Sequence, residues 1–476
     1  MKTGEISTLP RVIQGGMGIG VSSWVMAQAV SRAGGLGVVS GTAIDSVIAR
    51  RLQNGDIDGS IRRAIGNFPD QKFAAAALQR YFIDGGKKSA LPYLLVPKLS
   101  LHPSEFSSKF LSLSNFIEVW LAKEGHTGLV GINFLEKVQL ATPASVYGAL
   151  LAGVDYILMG AGIPSEIPRI IRELSQHQKT SLSITVENAT SKYFLNFDPA
   201  IVENANQVKI TKPKFLAIIS SHALAAYLNR DETVRPDGFV VEGVTAGGHN
   251  APPRGNTPIG ADGQSQFSAK DDADIAKVRA TGLPFWLAGG YATPEKLQAA
   301  LAEGAAGVQV GTIFALSDES GITPELRAQI LIRLADKTLT VITDPVGSPT
   351  SFPFKYAELA ETISDTAEFD SRIKLCDLGY LRNVIERDNK RIAYRCSGEP
   401  EKTFAFKGGA AGATVGKKCL CNALMANIGA PQMRVGGYKE QALITLGSDL
   451  SGEEALLKIY PDGWSATQAL DFLLGR

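Results

Sequence analysis

From Arg11 to about Ser320, short β-branched runs alternate with Ala- and Leu-rich stretches of helical period, separated by Gly-rich or polar turns. Strands alternating with helices at this spacing predict a parallel sheet built of βαβ units. Eight strands are expected, over 11–14, 36–40, 129–134, 156–159, 215–219, 238–242, 284–288 and 307–310. Ser22 or Ser23 is placed to cap a first helix that runs to Ala33. The third strand follows only after a long interval. Residues 45–128, with helical patterns over 57–65 and 104–123, therefore read as an insertion. Residues 181–186 also have strand character, but they sit in a stretch rich in Asn, Lys and Asp, and 181–213 reads as a second insertion.

Eight parallel strands fit a closed (β/α)₈ TIM barrel. The rival is an open doubly wound sheet, in which a dinucleotide fingerprint follows the first strand. Gly15-Gly16-Met17-Gly18-Ile19-Gly20 does follow it, but Val38-Val39-Ser40-Gly41-Thr42 stands where that fingerprint needs an acidic residue. The barrel is the expected fold. Its βα alternation ends near residue 340, so the chain divides into a barrel over 1–345 and a C-terminal lobe over 346–476 packed on it.

Composition narrows the function. Hydrophobic residues at 45% and charged residues at 20% are ordinary for a soluble globular protein. Lys plus Arg number 48 against 47 Asp plus Glu, which leaves no field to attract nucleic acid or an anionic membrane. The charge pair in Met1-Lys2-Thr3-Gly4-Glu5-Ile6 is unlike a signal peptide. The apolar stretch 215–228 is broken by Ser220, Ser221 and His222 and is too short for a bilayer. A cytoplasmic protein with no membrane partner is expected.

A barrel builds its active site from the loops at the C-terminal ends of its strands. Glycine recurs in those loops: Gly15-Gly16, Gly41, Gly160 and Gly162, Gly243 to Gly248, Gly289-Gly290 and Gly311. One glycine after a strand is ordinary turn chemistry. The recurrence suits close approach of a planar ring with a phosphate tail. Gly289-Gly290 ahead of Thr293-Pro294, with Gly311-Thr312, offers backbone N–H groups and a helix N-terminus for the phosphate. Of the five histidines, His102, His126 and His177 read as surface residues. His222 reads equally as a helix-start residue or a pocket neighbour. His249, behind two glycines at the end of the sixth strand, is the candidate general base, since imidazole suits proton abstraction near neutral pH.

The stretch 11–41, Gly131-Ile132-Asn133-Phe134, Gly160-Ala161-Gly162, Glu242 to His249 and the stretch 284–312 together resemble the nitronate monooxygenase (2-nitropropane dioxygenase) family. That family also includes FMN-dependent enoyl-acyl-carrier-protein reductases. The resemblance implies an FMN-bound barrel, with cofactor contacts at Gly15, Gly16, Met17, Asn133, Glu242, Gly247, Gly248, Gly290, Gln309, Val310, Gly311 and Thr312. It implies that His249 removes the α-proton of a nitroalkane or stabilises a bound nitronate, with dioxygen completing the oxidation. The alternative within the resemblance is an NAD(P)H-dependent reductase of an enoyl thioester or quinone. A flavin-free scaffold would be a third, colourless possibility.

The chain departs from that pattern in its two insertions, in its C-terminal residues and at Val346-Gly347-Ser348-Pro349-Thr350-Ser351, where the family's arginine-bearing stretch is missing. All four cysteines, Cys376, Cys396, Cys419 and Cys421, fall in the C-terminal region. Thiolates suit zinc or an iron–sulfur cluster, but the spacing matches no paired CxxC pattern, and no metal site is assigned from sequence.

Overall fold

The β-branched runs form a closed cylinder. In the computed structural model, which describes residues 9–255 and 259–476, eight parallel strands are present. They are β1 (Val12–Gln14), β2 (Gly37–Ser40), β3 (Val130–Leu135), β4 (Tyr156–Gly160), β5 (Lys214–Ile219), β6 (Gly238–Glu242), β7 (Phe285–Ala288) and β8 (Gly307–Val310). The order β1-β8-β7-β6-β5-β4-β3-β2 brings the sheet's ends together. There Gln14 N donates to Leu36 O and Leu36 N to Val12 O, both at 3.0 Å. The sheet is therefore a barrel, and the open doubly wound alternative falls away. The N-terminal Met1 to Ile6 lies outside the described residues.

Strand residues alternate between two apolar layers. Ile13, Val38, Leu158, Leu216, Val240 and Trp286 fill the interior, while Val12, Val39, Ile157, Phe215, Val241 and Leu287 pack outward against the helices. Burial on both faces explains why the strands read as continuous apolar runs. Trp286 spends its one polar atom on Pro10 O at 2.7 Å, so the barrel floor holds no unsatisfied donor from it.

The interval between β2 and β3 holds four helices, Ile44–Gln53, Ser60–Ile65, Gln71–Tyr81 and Glu105–Lys123. The last packs against Trp24–Arg32 and Thr142–Leu151, alongside the barrel. Residues 180–184 and 193–197 form an antiparallel hairpin outside the barrel. Val186–Glu187 then pairs with Asn383–Glu386, which joins this interval to the C-terminal region.

That region meets the barrel in several places. Strand Phe354–Ala357 pairs with Val341–Asp344 on one side and with Gly248–His249 on the other. Helix Ala466–Leu474, opened by a capping box at Ser465 and Gln468, packs against Trp24–Arg32 and Pro294–Ala302 in the barrel's outer ring. Just before it Trp464 is fully buried, with Nε1 donating to Ile313 O at 2.7 Å. Among the described residues, no helix is long and apolar enough to cross a membrane.

Candidate active site

The loops at the C-terminal ends of the strands enclose one cavity, with about 240 Å³ open to the centre of a water molecule. Its wall brings together His249 and all twelve residues named from the sequence as cofactor contacts. Gly15, Gly16 and Met17 follow β1, and Asn133 lies in β3. Glu242 ends β6, and Gly247, Gly248 and His249 follow it. Gly290 follows β7, Gln309 and Val310 lie in β8, and Gly311 and Thr312 come next. His222 is not in this wall. It starts a helix and accepts from Asp274 N at 3.3 Å, which is the helix-start reading. His102 is exposed, His126 bonds the nearby Ala122 O and Gly128 N, and His177 bonds Tyr147 and Val208 O.

The β1 loop is held by a serine assigned otherwise from sequence. Ser22 makes no helix cap, and neither does the side chain of Ser23. Ser22 Oγ instead accepts from Met17 N and Gln14 Nε2, both at 2.9 Å, and donates to Gly15 O at 2.9 Å. Three loop groups outcompete one helix N–H, and Gly15 to Met17 are fixed in place. The glycines also divide by cause. A Cβ on Gly16 would stand 2.4 Å from Asn133 Cβ, and one on Gly247 would stand 2.7 Å from Leu446 C. Those two are required by packing within the chain. Gly248 has φ +78° with open space beyond it, so there backbone conformation makes the demand.

Two amides flank Gly15-Gly16. Asn133 Nδ2 donates to Gly16 O at 3.2 Å, and Gln309 touches Gly15. Asn133 Oδ1 and Gln309 Oε1 are buried without partners. Buried acceptors left open in this way call for a donor from a bound molecule.

His249 is positioned from the C-terminal side. Its Nε2 lies 2.8 Å from Ser348 Oγ, and Ser348 is in turn tied to Thr350 Oγ1 at 2.8 Å. Its ring meets Phe354 edge-on at 4.8 Å. Burial, helped by the charge of Lys137, pulls the imidazole down to about 4. Burial pushes the Glu242 carboxyl up to about 7. Glu453, on helix Ser451–Ile459, also lines the cavity with both oxygens unpartnered, and burial pushes it up to about 8. Near pH 7 the imidazole and Glu453 are therefore uncharged. Asp449 beside Gly290 is paired with Lys296. Thr312 Oγ1 accepts from Gly447 N at 2.9 Å, which leaves its proton free to donate.

Ser348, Phe354 and Glu453 were not found from the sequence. Ser348 stands in the very stretch that departs from the family pattern, which was the available signal. The four cysteines lie behind this wall, and Cys421 reaches it.

Residues 175–350 match the nitronate monooxygenase family model. The match spans β5 to β8, His249 and Ser348, and bears out the resemblance over that stretch. None of the curated proteins compared matches the chain. Among solved structures, FabK from Thermotoga maritima is similar at 17% identity and TM-score 0.47, covering 98% of this chain and 92% of its own. A nitroalkane oxidase from Streptomyces ansochromogenes is similar at 14% identity and TM-score 0.43, covering 98% and 95%.

Proposed function

We propose that this chain, a flavin-dependent oxidoreductase with a nitronate monooxygenase domain, binds FMN in the barrel cavity and oxidises alkyl nitronates with dioxygen. The observation that carries the reading is His249, half-buried, uncharged at neutral pH and tethered to Ser348 in the wall of that cavity.

The residues present fit the cofactor. Asn133 Oδ1 and Gln309 Oε1 are open acceptors for a ring N–H. The loops at Gly290 and Gly311-Thr312 would hold the phosphate, where the Thr312 hydroxyl and a protonated Glu453 can donate and Lys296 offsets Asp449. When bound, FMN supplies the redox chemistry. The protein's part is to orient the substrate, exclude water and handle one proton.

The imidazole has its free lone pair down to about pH 4, so it can accept a proton over the whole physiological range. With no anion beside the ring that uptake is uphill, because burial disfavours imidazolium. An anionic nitronate beside the ring offsets the cost, whereas a neutral nitroalkane does not. Preformed nitronates are therefore the better substrates, with His249 holding the anion by hydrogen bond or proton. Ser348 fixes the ring's direction.

Anaerobic stopped-flow mixing with a nitronate, NADH and NADPH tests this. Flavin bleaching by the nitronate alone is expected, and His249→Asn should slow it by about 10²–10⁴-fold. Rapid bleaching by NADH or NADPH with none by the nitronate would make the chain an NAD(P)H-dependent reductase instead.

A further inference from the structure

The four cysteines arrive from three separate segments and converge on one small void. Cys376 follows helix Thr366–Ser371, Cys396 follows strand Ile392–Arg395, and Cys419 and Cys421 open helix Leu420–Asn427. All are free thiols, and Cys396, Cys419 and Cys421 are buried. The thiols of Cys376 and Cys396 pair with each other, and Cys396 feels both Cys419 and Cys421. Cysteines that merely pack behave as small hydrophobes and have no reason to gather sulfur to sulfur.

Burial pushes the thiols of Cys419 and Cys421 up, and the Cys376 thiol together with burial pushes up that of Cys396, so these sulfurs hold their protons until a metal displaces them. Asn422 Nδ2 stands 3.5 Å from Cys419 Sγ. A donor directed at sulfur offsets part of that burial cost once the thiol gives up its proton. Such hydrogen bonds are also the means by which proteins tune sulfur-ligated iron.

The spacing selects among metals. A zinc ion draws its thiolates to about 2.3 Å. The four cysteines line one void together with Pro349, Leu378, Leu381 and Leu420. Among the described residues no group of three or more His, Cys, Asp or Glu is arranged for a single metal ion. A cluster attaches its thiolates to different irons and so bridges a wider gap. We propose that Cys376, Cys396, Cys419 and Cys421 ligate an iron–sulfur cluster, each thiol giving up its proton on ligation. Ligands drawn from three segments explain why no CxxC pair announces the site. Leu381, Leu420 and Cys421 line both this void and the barrel cavity, so the cluster would share a wall with the proposed flavin site. Ligation by the four thiols is independent of what the barrel cavity holds.

The test is metal and acid-labile sulfide analysis of the full chain purified without oxygen, with electron paramagnetic resonance after dithionite reduction. Equimolar iron and sulfide, at about two or four of each per chain, are expected. Cys396→Ser and Cys419→Ser should lose both while keeping any flavin. Should those variants not fold, anaerobic reconstitution of the native chain with ferrous iron and sulfide gives the same readout. Iron and sulfide below about 0.1 per chain after reconstitution would overturn the assignment, and so would stoichiometric zinc without sulfide.

Discussion

The barrel and the C-terminal region build the same cavity in different ways. The barrel contributes mostly backbone and small groups: the Gly15-Gly16 turn clamped by Ser22, the glycines after β6 and β7, and two amides with open oxygens. Residues 346–476 contribute side chains that shut the cavity: Ser348 on His249, Phe354 against its ring, and Tyr380, Leu446 and Glu453 around the rim. In the proposed function one region would place the ligand, and the other would remove water from around it. The consequence is visible in three titratable groups, since burial drives Glu242 and Glu453 up and His249 down, each toward its uncharged form.

The contrast is sharpest at Trp464. If the C-terminal helices complete the barrel's outer ring, Trp464→Ala should cost about 3–5 kcal/mol, because it removes a fully buried side chain and leaves Ile313 O without its donor. Urea unfolding measures this. A midpoint that stays in place would make that region an accessory on a self-sufficient barrel.

A smaller effect is expected at Ser348, a positioning residue that bonds His249 without lining the cavity itself. Ser348→Ala should lower kcat about tenfold with KM little changed, and Ser348→Thr should restore most of it. A change confined to KM would mean that the hydroxyl serves binding and not the direction of the ring.

The smallest effect concerns pH. Glu453 is raised from 4.5 to about 8, so the stability it contributes is lost as pH climbs through that window. His249 is lowered from 6.5 to about 4, so its contribution is lost as pH falls through that range. Glu453→Gln should therefore flatten the alkaline side of a Tm-against-pH curve for flavin-free protein and leave the acid side alone. An unchanged alkaline limb would show that the carboxyl is solvated.

The barrel was legible because each strand is buried on both faces, so its apolar run survives in the sequence whatever its partners. The glycines and His249 were legible by position, at strand ends where a barrel keeps its site. Ser348 and Glu453 were not, since each acts through contacts with residues far away in sequence, and nothing in their own neighbourhood signals burial. Of the two serines offered as a helix cap, Ser23 stands at the N-cap, while Ser22 binds the β1 loop; local pattern cannot show that this loop offers Ser22 more partners. The cysteines were seen but not paired, because only the tertiary fold brings their segments together.

Titrating flavin-free protein with FMN while following flavin fluorescence tests most directly whether the barrel cavity holds flavin. Saturable quenching at one FMN per chain is predicted, weakened in Gln309→Leu, which removes one of the open amide oxygens. A protein that leaves FMN fluorescence unchanged at stoichiometric concentration would contradict it.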